Sequence, residues 1–439
     1  MTATAKTAHS RTFRLAALLR NTAALTYAIA LTACGGPGSA QGGTSPEAIK
    51  PGTYRVVLQL PGGELPFGLD LQREGSGGWV GYLINGPERL ELSEVTVDGS
   101  HLEIKMPGYE NRLTADAKGG ELQGEVVLSK PEGKDQHLPL HAQFAQTYRF
   151  FPQPSAAGAN VAGRWSVTFT GDDGKDEMAV GEFSQSQDVV TGTVLANGGD
   201  HRYLAGQVHG DELYLSTFDG AHPFLYKAKI TGPDGELAGD FWYGTSLHEH
   251  WTAKRDAHAA LPDPYTITTL RAGNKRFDFA FPDLAHNTVT SKDARFRDKV
   301  LIIAIGGSWC PNCHDEAAFL EPLYREYRAK GLEVVSLMFE HFGDFAHAAA
   351  ATTRFRQQYG IEYTTLIAGI SDLDDAGRKL PMLDPFYGFP TTVLVDRKGQ
   401  VRKIHTGFSG PATGEHYSQF VAEFKSNLDQ LLAETSGGS

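Results

Sequence analysis

The sequence is poor in three features, and each shortage excludes a class of protein. Positive charge is short: the formal net charge is −12, and Lys and Arg form no cluster that could follow a phosphate backbone. We therefore expect no nucleic-acid partner. The apolar run from Ala23 to Leu31 is too short to span a bilayer. Cysteine occurs three times in 439 residues, so the chain can form at most one internal disulfide.

The N-terminal residues predict export and attachment to a lipid. Residues 1–22 hold basic side chains and no acid, and the apolar run follows them, which is typical of an export signal. Leu31-Thr32-Ala33-Cys34-Gly35 then resembles the lipobox of bacterial lipoproteins, in which the signal is cut before a lipidated cysteine. We expect a signal peptide over 1–33, a lipid on Cys34, a flexible tether over 34–50 and a place on the extracytoplasmic face of a bacterial cell envelope. An ordinary signal with a chance cysteine is the alternative.

The other two cysteines form a pair at a predicted strand-to-helix junction. Cys310 and Cys313 follow the apolar run Val300–Ile305 and precede a helical pattern of apolar residues. A thiol at a helix start gains from the helix dipole, which stabilises a thiolate, and the spacing lets the second thiol close a small disulfide. The pattern predicts a redox site. A zinc site would need two more ligands.

Residues 50–254 predict two related all-β units, because short alternating strands are separated by Gly and Asp-Gly turns. Gly52-Thr53-Tyr54 corresponds to Gly163-Arg164-Trp165, an offset of 111, and later matches shift to an offset of 115. We place β-unit 1 at 51–146 and β-unit 2 at 162–256. Small barrels, small sandwiches and one larger paired sheet all fit the pattern.

Residues 265–435 predict an α/β domain. Phe277–Phe281 alternates as an edge strand, and apolar strands and amphipathic helices then follow in turn. A β-hairpin over 391–404 and an amphipathic helix from Tyr417 to Leu432 end the chain. The fold class is therefore multidomain, with two all-β units followed by an α/β domain.

Three motifs in order give this domain a family resemblance. Trp309-Cys310-Pro311-Asn312-Cys313, then Glu316, then Gly388-Phe389-Pro390-Thr391-Thr392 resemble the TlpA-like branch of exported thiol–disulfide oxidoreductases in the thioredoxin superfamily. The resemblance covers about 170 residues and does not extend to the β-units. It implies a thioredoxin fold and thiol–disulfide exchange without a cofactor.

The resemblance also implies a role for each site residue. Cys310 is the exposed nucleophile and Cys313 the resolving cysteine. Pro390 is a cis-proline beside the pair that leaves the preceding backbone free to bind substrate, and Trp309 shields the pair. Glu316 transfers the proton of Cys313.

Two neighbouring carboxylates in the predicted helix receive different interpretations. Glu316 lies one helical turn after Cys313, where burial would raise its pKa and fit it for proton transfer. Ala304 stands six residues before Cys310, where thioredoxin carries a buried Asp, so another proton carrier is needed. The alternative is a solvated first-turn Glu that favours the helix dipole, which is what we expect of Asp315.

Two features of β-unit 2 remain candidates for binding. Trp242-Tyr243 either fills a core or forms an exposed patch for glycan, lipid or protein. In His248-Glu249-His250, strand alternation puts both histidines on one face. A metal site needs a third ligand, and the sequence indicates none nearby, so we expect no metal.

These observations predict a membrane-anchored reductase of exported protein disulfides. Its partners would be exported protein thiols and disulfides, an upstream membrane thiol electron donor, and the membrane through the N-terminal lipid. One alternative is an envelope-binding lipoprotein whose β-units hold a ligand or partner. A thiol peroxidase is the other, but its Pro-x₃-Thr-x₂-Cys spacing fits neither Cys310 nor Cys313.

Overall fold

The computed structural model describes residues 48–75, 77–130, 134–154, 159–232 and 235–434. The expected signal peptide and Cys34 lie outside these residues. Across the described ranges, no helix is both long enough and apolar enough to cross a membrane.

β-unit 1 is an eight-stranded antiparallel barrel with one added strand. Its strands are β1 (Gly52–Leu60), β2 (Gly63–Arg73), β3 (Trp79–Asn85), β4 (Glu88–Glu91), β5 (Glu94–Asp98), β6 (His101–Lys105), β7 (Arg112–Lys118), β8 (Glu121–Leu128) and β9 (Gln136–Phe144). The order is β2-β1-β9-β8-β7-β6-β5-β3, the pairing of β3 with β2 closes the barrel, and β4 extends β3. Alternating side chains such as Val56 and Leu58 fill the interior.

β-unit 2 repeats this topology. Its strands are β10 (Gly163–Thr170), β11 (Asp176–Ser186), β12 (Val189–Ala196), β13 (Gly199–Asp200), β14 (Leu204–His209), β15 (Glu212–Thr217), β16 (Phe224–Thr231), β17 (Glu236–Tyr243) and β18 (Leu247–Arg255). The order is β11-β10-β18-β17-β16-β15-β14-β12, β12 closes on β11, and β13 extends β12. Trp165, Tyr226 and Trp251 fill its core. The prediction of two related β-units is confirmed, and both are barrels.

The two barrels share buried contacts. The Arg149 guanidinium donates to the Ile84 carbonyl at 3.1 Å in β-unit 1 and to the Ser216 carbonyl at 2.9 Å in β-unit 2. Trp242 packs over Gly62 of β-unit 1, where an added Cβ would lie 2.3 Å from the indole.

Tyr243 lies beside Trp242, and its ring contacts His222 and Phe224. The pair therefore packs against neighbouring residues and does not form an exposed aromatic patch.

The C-terminal domain is a five-stranded sheet with helices on both faces. Its central elements are β21 (Val300–Gly306), α1 (Pro311–Tyr327), β22 (Leu332–Glu340), α2 (Phe345–Tyr359), β23 (Thr364–Ile370), α3 (Leu373–Lys379), β24 (Thr391–Val395), β25 (Val401–Thr406) and α4 (Glu415–Ala433). The strand order is β23-β22-β21-β24-β25, with β21 parallel to β22 and antiparallel to β24. Alternate residues of β21 enter the two faces, so two apolar cores enclose the sheet. The predicted thioredoxin-like order is confirmed.

The predicted edge strand at Phe277–Phe281 is wrong. Only Ala280–Pro282 forms a strand there, β19, which pairs with β20 (Thr288–Thr290) as a separate ribbon. Phe277 and Phe279 are both buried in the core beneath the main sheet. Their alternation with polar residues arises from this packing and not from pairing at the sheet edge.

Candidate active site

The two cysteines lie at the start of α1 and form a disulfide. Cys310 is the N-cap residue, Pro311 opens the helix, and the Cys313 amide donates to Cys310 Sγ at 3.2 Å. This N–H group and the helix dipole both favour a thiolate on Cys310 after reduction.

Cys310 is only 3% exposed, so the expectation of an exposed nucleophile is wrong for this arrangement. β-unit 2 lies close to the pair, because its β12–β13 turn contacts Asn312 at the start of α1. The Gly198 carbonyl accepts from Asn312 Nδ2, which lies between the cysteines, at 3.3 Å. Gly199 forms a backbone bridge with Phe408, just after β25.

Gly199 has no room for a side chain at this contact. Its φ is 140°, which favours glycine. An added Cβ would lie 1.4 Å from Asn312 Nδ2 and 2.5 Å from the Phe408 carbonyl oxygen. The backbone of β-unit 2 at Gly199 therefore packs directly against the Asn312 side chain at the start of α1.

Trp309 links the cysteine pair to the proline loop. Its Nε1–H donates to the Phe339 carbonyl at 2.8 Å at the end of β22. One face stacks on His341 with ring centroids 4.9 Å apart, and Phe389 meets the indole edge-on at 5.7 Å. These contacts fit the shielding role expected of Trp309.

Pro390 directly precedes β24 beside the cysteines. The Phe389–Pro390 peptide bond is cis, as the resemblance implies. Thr391, the next residue, pairs with Ile305 near the end of β21, and the Pro390 carbonyl accepts from the Gly407 amide at 2.8 Å. The proline loop and the cysteine pair therefore lie at the same end of the central strands β21 and β24.

Glu316 is buried between α1 and β24. Its carboxylate accepts a hydrogen bond from the Thr392 hydroxyl, and Thr392 pairs with Ala304 across the sheet. Burial raises the pKa of Glu316 to about 7, against the lowering effect of the Thr392 hydrogen bond. The carboxyl group can therefore exchange a proton near neutral pH, which a solvated first-turn Glu would not do.

The expectation that Asp315 is solvated is wrong, because Asp315 forms a buried ion pair with β-unit 2. Asp315 Oδ1 lies 2.8 Å from Arg202 Nη1. The same guanidinium lies 2.8 Å from Glu88 of β-unit 1 and 3.7 Å from Asp219. Burial raises the pKa of Asp315 to about 7, and Arg202 opposes that rise. The Arg202 guanidinium thus links β-unit 1, β-unit 2 and α1, two residues after Cys313.

His314 is held between β-unit 1 and the C-terminal domain. Its ring stacks on Tyr109 with centroids 4.2 Å apart. Nε2–H donates to the Ser308 carbonyl and Nδ1 accepts from the Tyr359 hydroxyl, each at 2.8 Å. Burial lowers the pKa of His314 to about 3, so the ring is neutral. Both ring nitrogens are engaged, and neither faces the cysteines as a zinc ligand.

Sequence reasoning missed Glu340 as a support of the site. This buried carboxylate ends β22 and accepts from the amide of Ser308 at 3.1 Å and from its hydroxyl at 2.7 Å. The Thr352 hydroxyl of α2 donates to it at 3.0 Å. Burial raises the pKa of Glu340. The available signal was an acid that directly follows the apolar strand residues Leu337, Met338 and Phe339.

The structure also supplies a third donor beside the two histidines of β18. Asp240 of β17 lies opposite His250, and His248 is close to the same carboxylate. The expectation that no third ligand lies nearby is therefore wrong. Strand pairing is the reason, because it places Asp240, ten residues earlier in the sequence, directly opposite His250.

Comparisons with known proteins agree with the geometry of the C-terminal domain. Residues 271–418 match the Redoxin family model. The chain is 27% identical over 152 residues to the thiol-disulfide oxidoreductase ResA of Halalkalibacterium halodurans, which covers 34% of this chain and 77% of that protein. It is 24% identical over 140 residues to ResA of Geobacillus kaustophilus, covering 32% of this chain and 72% of that protein.

Solved structures similar to this chain match over about a third of its length. A thiol:disulfide interchange protein of the thioredoxin family from Chlorobium tepidum covers 38% of this chain and 100% of that one, with 16% identity and a TM-score of 0.29. A thiol-disulfide oxidoreductase from Bacteroides fragilis covers 34% and 99%, with 17% identity and a TM-score of 0.26. From the family match, the relatives and the cysteine pair, the C-terminal domain belongs to the thioredoxin superfamily as a TlpA-like thiol–disulfide oxidoreductase.

Proposed function

We propose that the protein is a membrane-anchored, extracytoplasmic reductase of disulfides in exported proteins. The observation that carries the chemistry is the Cys310–Cys313 disulfide at the start of α1, with the buried carboxyl of Glu316 one turn further on. The export signal and the lipobox-like residues around Cys34 support the location.

The first step is attack on a client disulfide. The Cys310 thiolate attacks one client sulfur, the client disulfide breaks, and a mixed disulfide forms while the client's other sulfur leaves as a thiolate. The Cys313 amide that bonds Cys310 Sγ stabilises the attacking thiolate. In this role Phe389, before the cis-proline, binds the client backbone, and Trp309 keeps water from the sulfurs.

The second step releases the client and closes the Cys310–Cys313 disulfide. Glu316 takes the proton of the Cys313 thiol, and the resulting thiolate attacks Cys310 Sγ. The mixed disulfide breaks, and the client leaves as a dithiol that has gained two electrons. A membrane dithiol carrier then reduces the pair again and is itself oxidised.

We infer that β-unit 2 controls which clients reach the pair. Its turn at residues 197–199 contacts Asn312, and a Cβ on Gly198 would lie 3.9 Å from the Phe389 carbonyl oxygen. A client backbone that pairs beside Pro390 has to displace this turn. The contact favours a β-unit that selects clients for the redox domain over a binding protein whose redox domain is incidental.

The reduction potential of the Cys310/Cys313 pair tests the direction of electron flow. The purified protein is equilibrated against glutathione and dithiothreitol buffers, and the fraction of free thiol is measured after acid quenching. We expect a potential of about −270 mV, the value typical of reducing thioredoxins. A Cys313→Ser variant, which has no internal disulfide to form, gives the baseline.

Two results would contradict the proposal. A potential of about −120 mV, typical of a strong oxidant, would indicate disulfide insertion into clients. A pair that does not cycle in either buffer would leave the binding-lipoprotein alternative.

A further inference from the structure

β-unit 2 presents three metal-ligating side chains on its outer surface. His248 and His250 alternate along β18 and point to the same side, and Asp240 lies directly opposite His250 on β17. Asp240 Oδ1 is 2.9 Å from His248 Nε2 and 2.8 Å from His250 Nδ1. The three donor atoms all lie within 4.8 Å of one another.

This donor set suits a divalent transition metal. Two imidazole nitrogens and one carboxylate oxygen are typical ligands of Zn²⁺, and three protein ligands leave a fourth position for water or another donor. Bonds of about 2.0–2.2 Å in a tetrahedral site put neighbouring donors about 3.3 Å apart. The two carboxylate–imidazole distances therefore need to grow by only a few tenths of an ångström to accept an ion, and the two imidazole nitrogens already lie within 4.8 Å of each other.

The site is both oriented and accessible. Trp242 stacks on His248 with ring centroids 5.2 Å apart and an interplanar angle of 19°, which holds that imidazole in place. The side chain of His250 is 74% exposed, so an ion can reach the site from solvent.

β-unit 1 provides an internal comparison. At the equivalent positions it has Glu125 and His137, whose oxygen and nitrogen lie 3.0 Å apart, but Pro139 stands opposite Glu125 where β-unit 2 has a second histidine. The carboxylate–histidine pair thus occurs in both barrels, whereas the third donor occurs in β-unit 2.

We propose that Asp240, His248 and His250 bind one divalent transition-metal ion, with Zn²⁺ as the probe ion. This site is separate from the redox pair and does not depend on the direction of electron flow.

Calorimetric titration with Zn²⁺ tests the proposal on the oxidised protein carrying Cys34→Ser, in which no free thiol competes for the ion. We expect one Zn²⁺ per chain. His250→Ala and His248→Ala should each weaken the affinity by at least about tenfold, the lower end of what loss of a supporting group costs a metal site. The matched control, His137→Ala, should leave the affinity unchanged.

Chemical protection locates the ion independently of folding. Zn²⁺ should protect His248 and His250 from carbethoxylation by diethyl pyrocarbonate, as measured by mass spectrometry, and should leave His137 reactive. Absence of Zn²⁺ binding would overturn the proposal, as would an affinity that neither His248→Ala nor His250→Ala changes. Equal weakening by His137→Ala would also overturn it.

Discussion

The two β-units use equivalent turns to hold different neighbours. In β-unit 1 the turn between β3 and β4 lies against β-unit 2, since a Cβ on Gly86 would meet Thr191 Cγ2 at 3.2 Å. Glu88, which follows this turn, forms the buried ion pair with Arg202. In β-unit 2 the turn 111 residues later lies on the C-terminal domain and contacts Asn312.

The equivalent turn of each β-unit therefore contacts the domain that follows it in the chain: β-unit 2 in the first case and the C-terminal domain in the second. The same surface of each barrel meets the next domain, so the barrels associate head to tail and not through a shared two-fold patch. β-unit 1 braces β-unit 2, and β-unit 2 braces the start of α1. β-unit 1 also contacts the C-terminal domain directly, because Tyr109 stacks on His314 next to Cys313, so a change in β-unit 1 can reach the cysteines by either route.

The largest expected effect comes from removing the cation at this second contact. Arg202→Ala leaves the buried carboxylates of Glu88, Asp219 and Asp315 without their shared partner. Loss of one member of a buried ion pair costs about 3–5 kcal/mol. We expect a loss of this size in the free energy of unfolding, measured with guanidinium chloride, and faster alkylation of the reduced Cys310.

The matched control lies where β-unit 1 meets α2. Glu110 pairs there with Arg354 at 3.1 Å and with His347 at 2.9 Å, and all three side chains are partly exposed. Such pairs contribute up to about 1 kcal/mol, so Glu110→Ala should cost no more than that. If Arg202→Ala and Glu110→Ala destabilise the protein equally, the two β-units do not differ as proposed.

An intermediate effect is expected at Glu316. Its carboxylate accepts a hydrogen bond from Thr392 within the C-terminal domain, so its role can be tested without changing a contact to either barrel. Its carboxylate must be ionised to accept the Cys313 proton, so the rate of disulfide reduction should rise with pH through about 7. Glu316→Gln should remove this rise and slow single-turnover reduction of a small disulfide about 100-fold at neutral pH. Rapid-mixing kinetics across pH 5–9 would measure both effects.

Stability gives a second readout for Glu316. The native chain keeps this proton up to about pH 7, whereas an unfolded Glu releases it near 4.5, so wild-type stability falls as the pH rises across that window. Glu316→Gln should lack this contribution. Glu321→Gln is the control, because Glu321 is also buried on α1 but bonds Arg325 and the Glu362 amide. If Glu316→Gln and Glu321→Gln both removed the fall in stability between about pH 4.5 and 7 to the same extent, the role of Glu316 would be contradicted.

The smallest effect on stability is expected from making β-unit 1 resemble β-unit 2. Pro139→His places an imidazole opposite Glu125, beside His137. Because the position is exposed, we expect the free energy of unfolding to change by less than about 0.5 kcal/mol. Zinc stoichiometry should rise from one to two ions per chain by calorimetry. A stoichiometry that stays at one would show that the three side chains alone do not make the site.

The fold was largely predictable because its signals are local. Alternation and Gly-rich turns identify the strands of both barrels, and the 111-residue offset identifies the repeat. Closure was not predictable, because whether β3 returns to pair with β2 depends on contacts across the whole unit. The prediction of an edge strand at Phe277–Phe281 failed for the same reason, since its phenylalanines alternate with other residues but do not pair in the main sheet.

The site was predictable where its residues are close in sequence. Cys310, Cys313 and Glu316 follow from helix geometry, and the described contacts place Trp309 and Pro390 beside them. The burial of Cys310 and the partner of Asp315 were not predictable, because Arg202 lies more than a hundred residues earlier on another domain. Asp240 was not predictable for a different reason: it lies only eight residues before His248, but placing it beside the histidines requires the register of β17 on β18, which the sequence pattern does not specify.

Gly199 limits how this architecture can change by mutation. The equivalent residue in β-unit 1 is Glu88, whose side chain reaches across a domain boundary, whereas at 199 an alanine methyl group would already collide with Asn312. The contact between β-unit 2 and the start of α1 therefore depends on a residue without a side chain at 199. A side chain at 199 would therefore displace Asn312 or the Phe408 backbone, whereas the equivalent position in β-unit 1 needs its side chain to pair with Arg202.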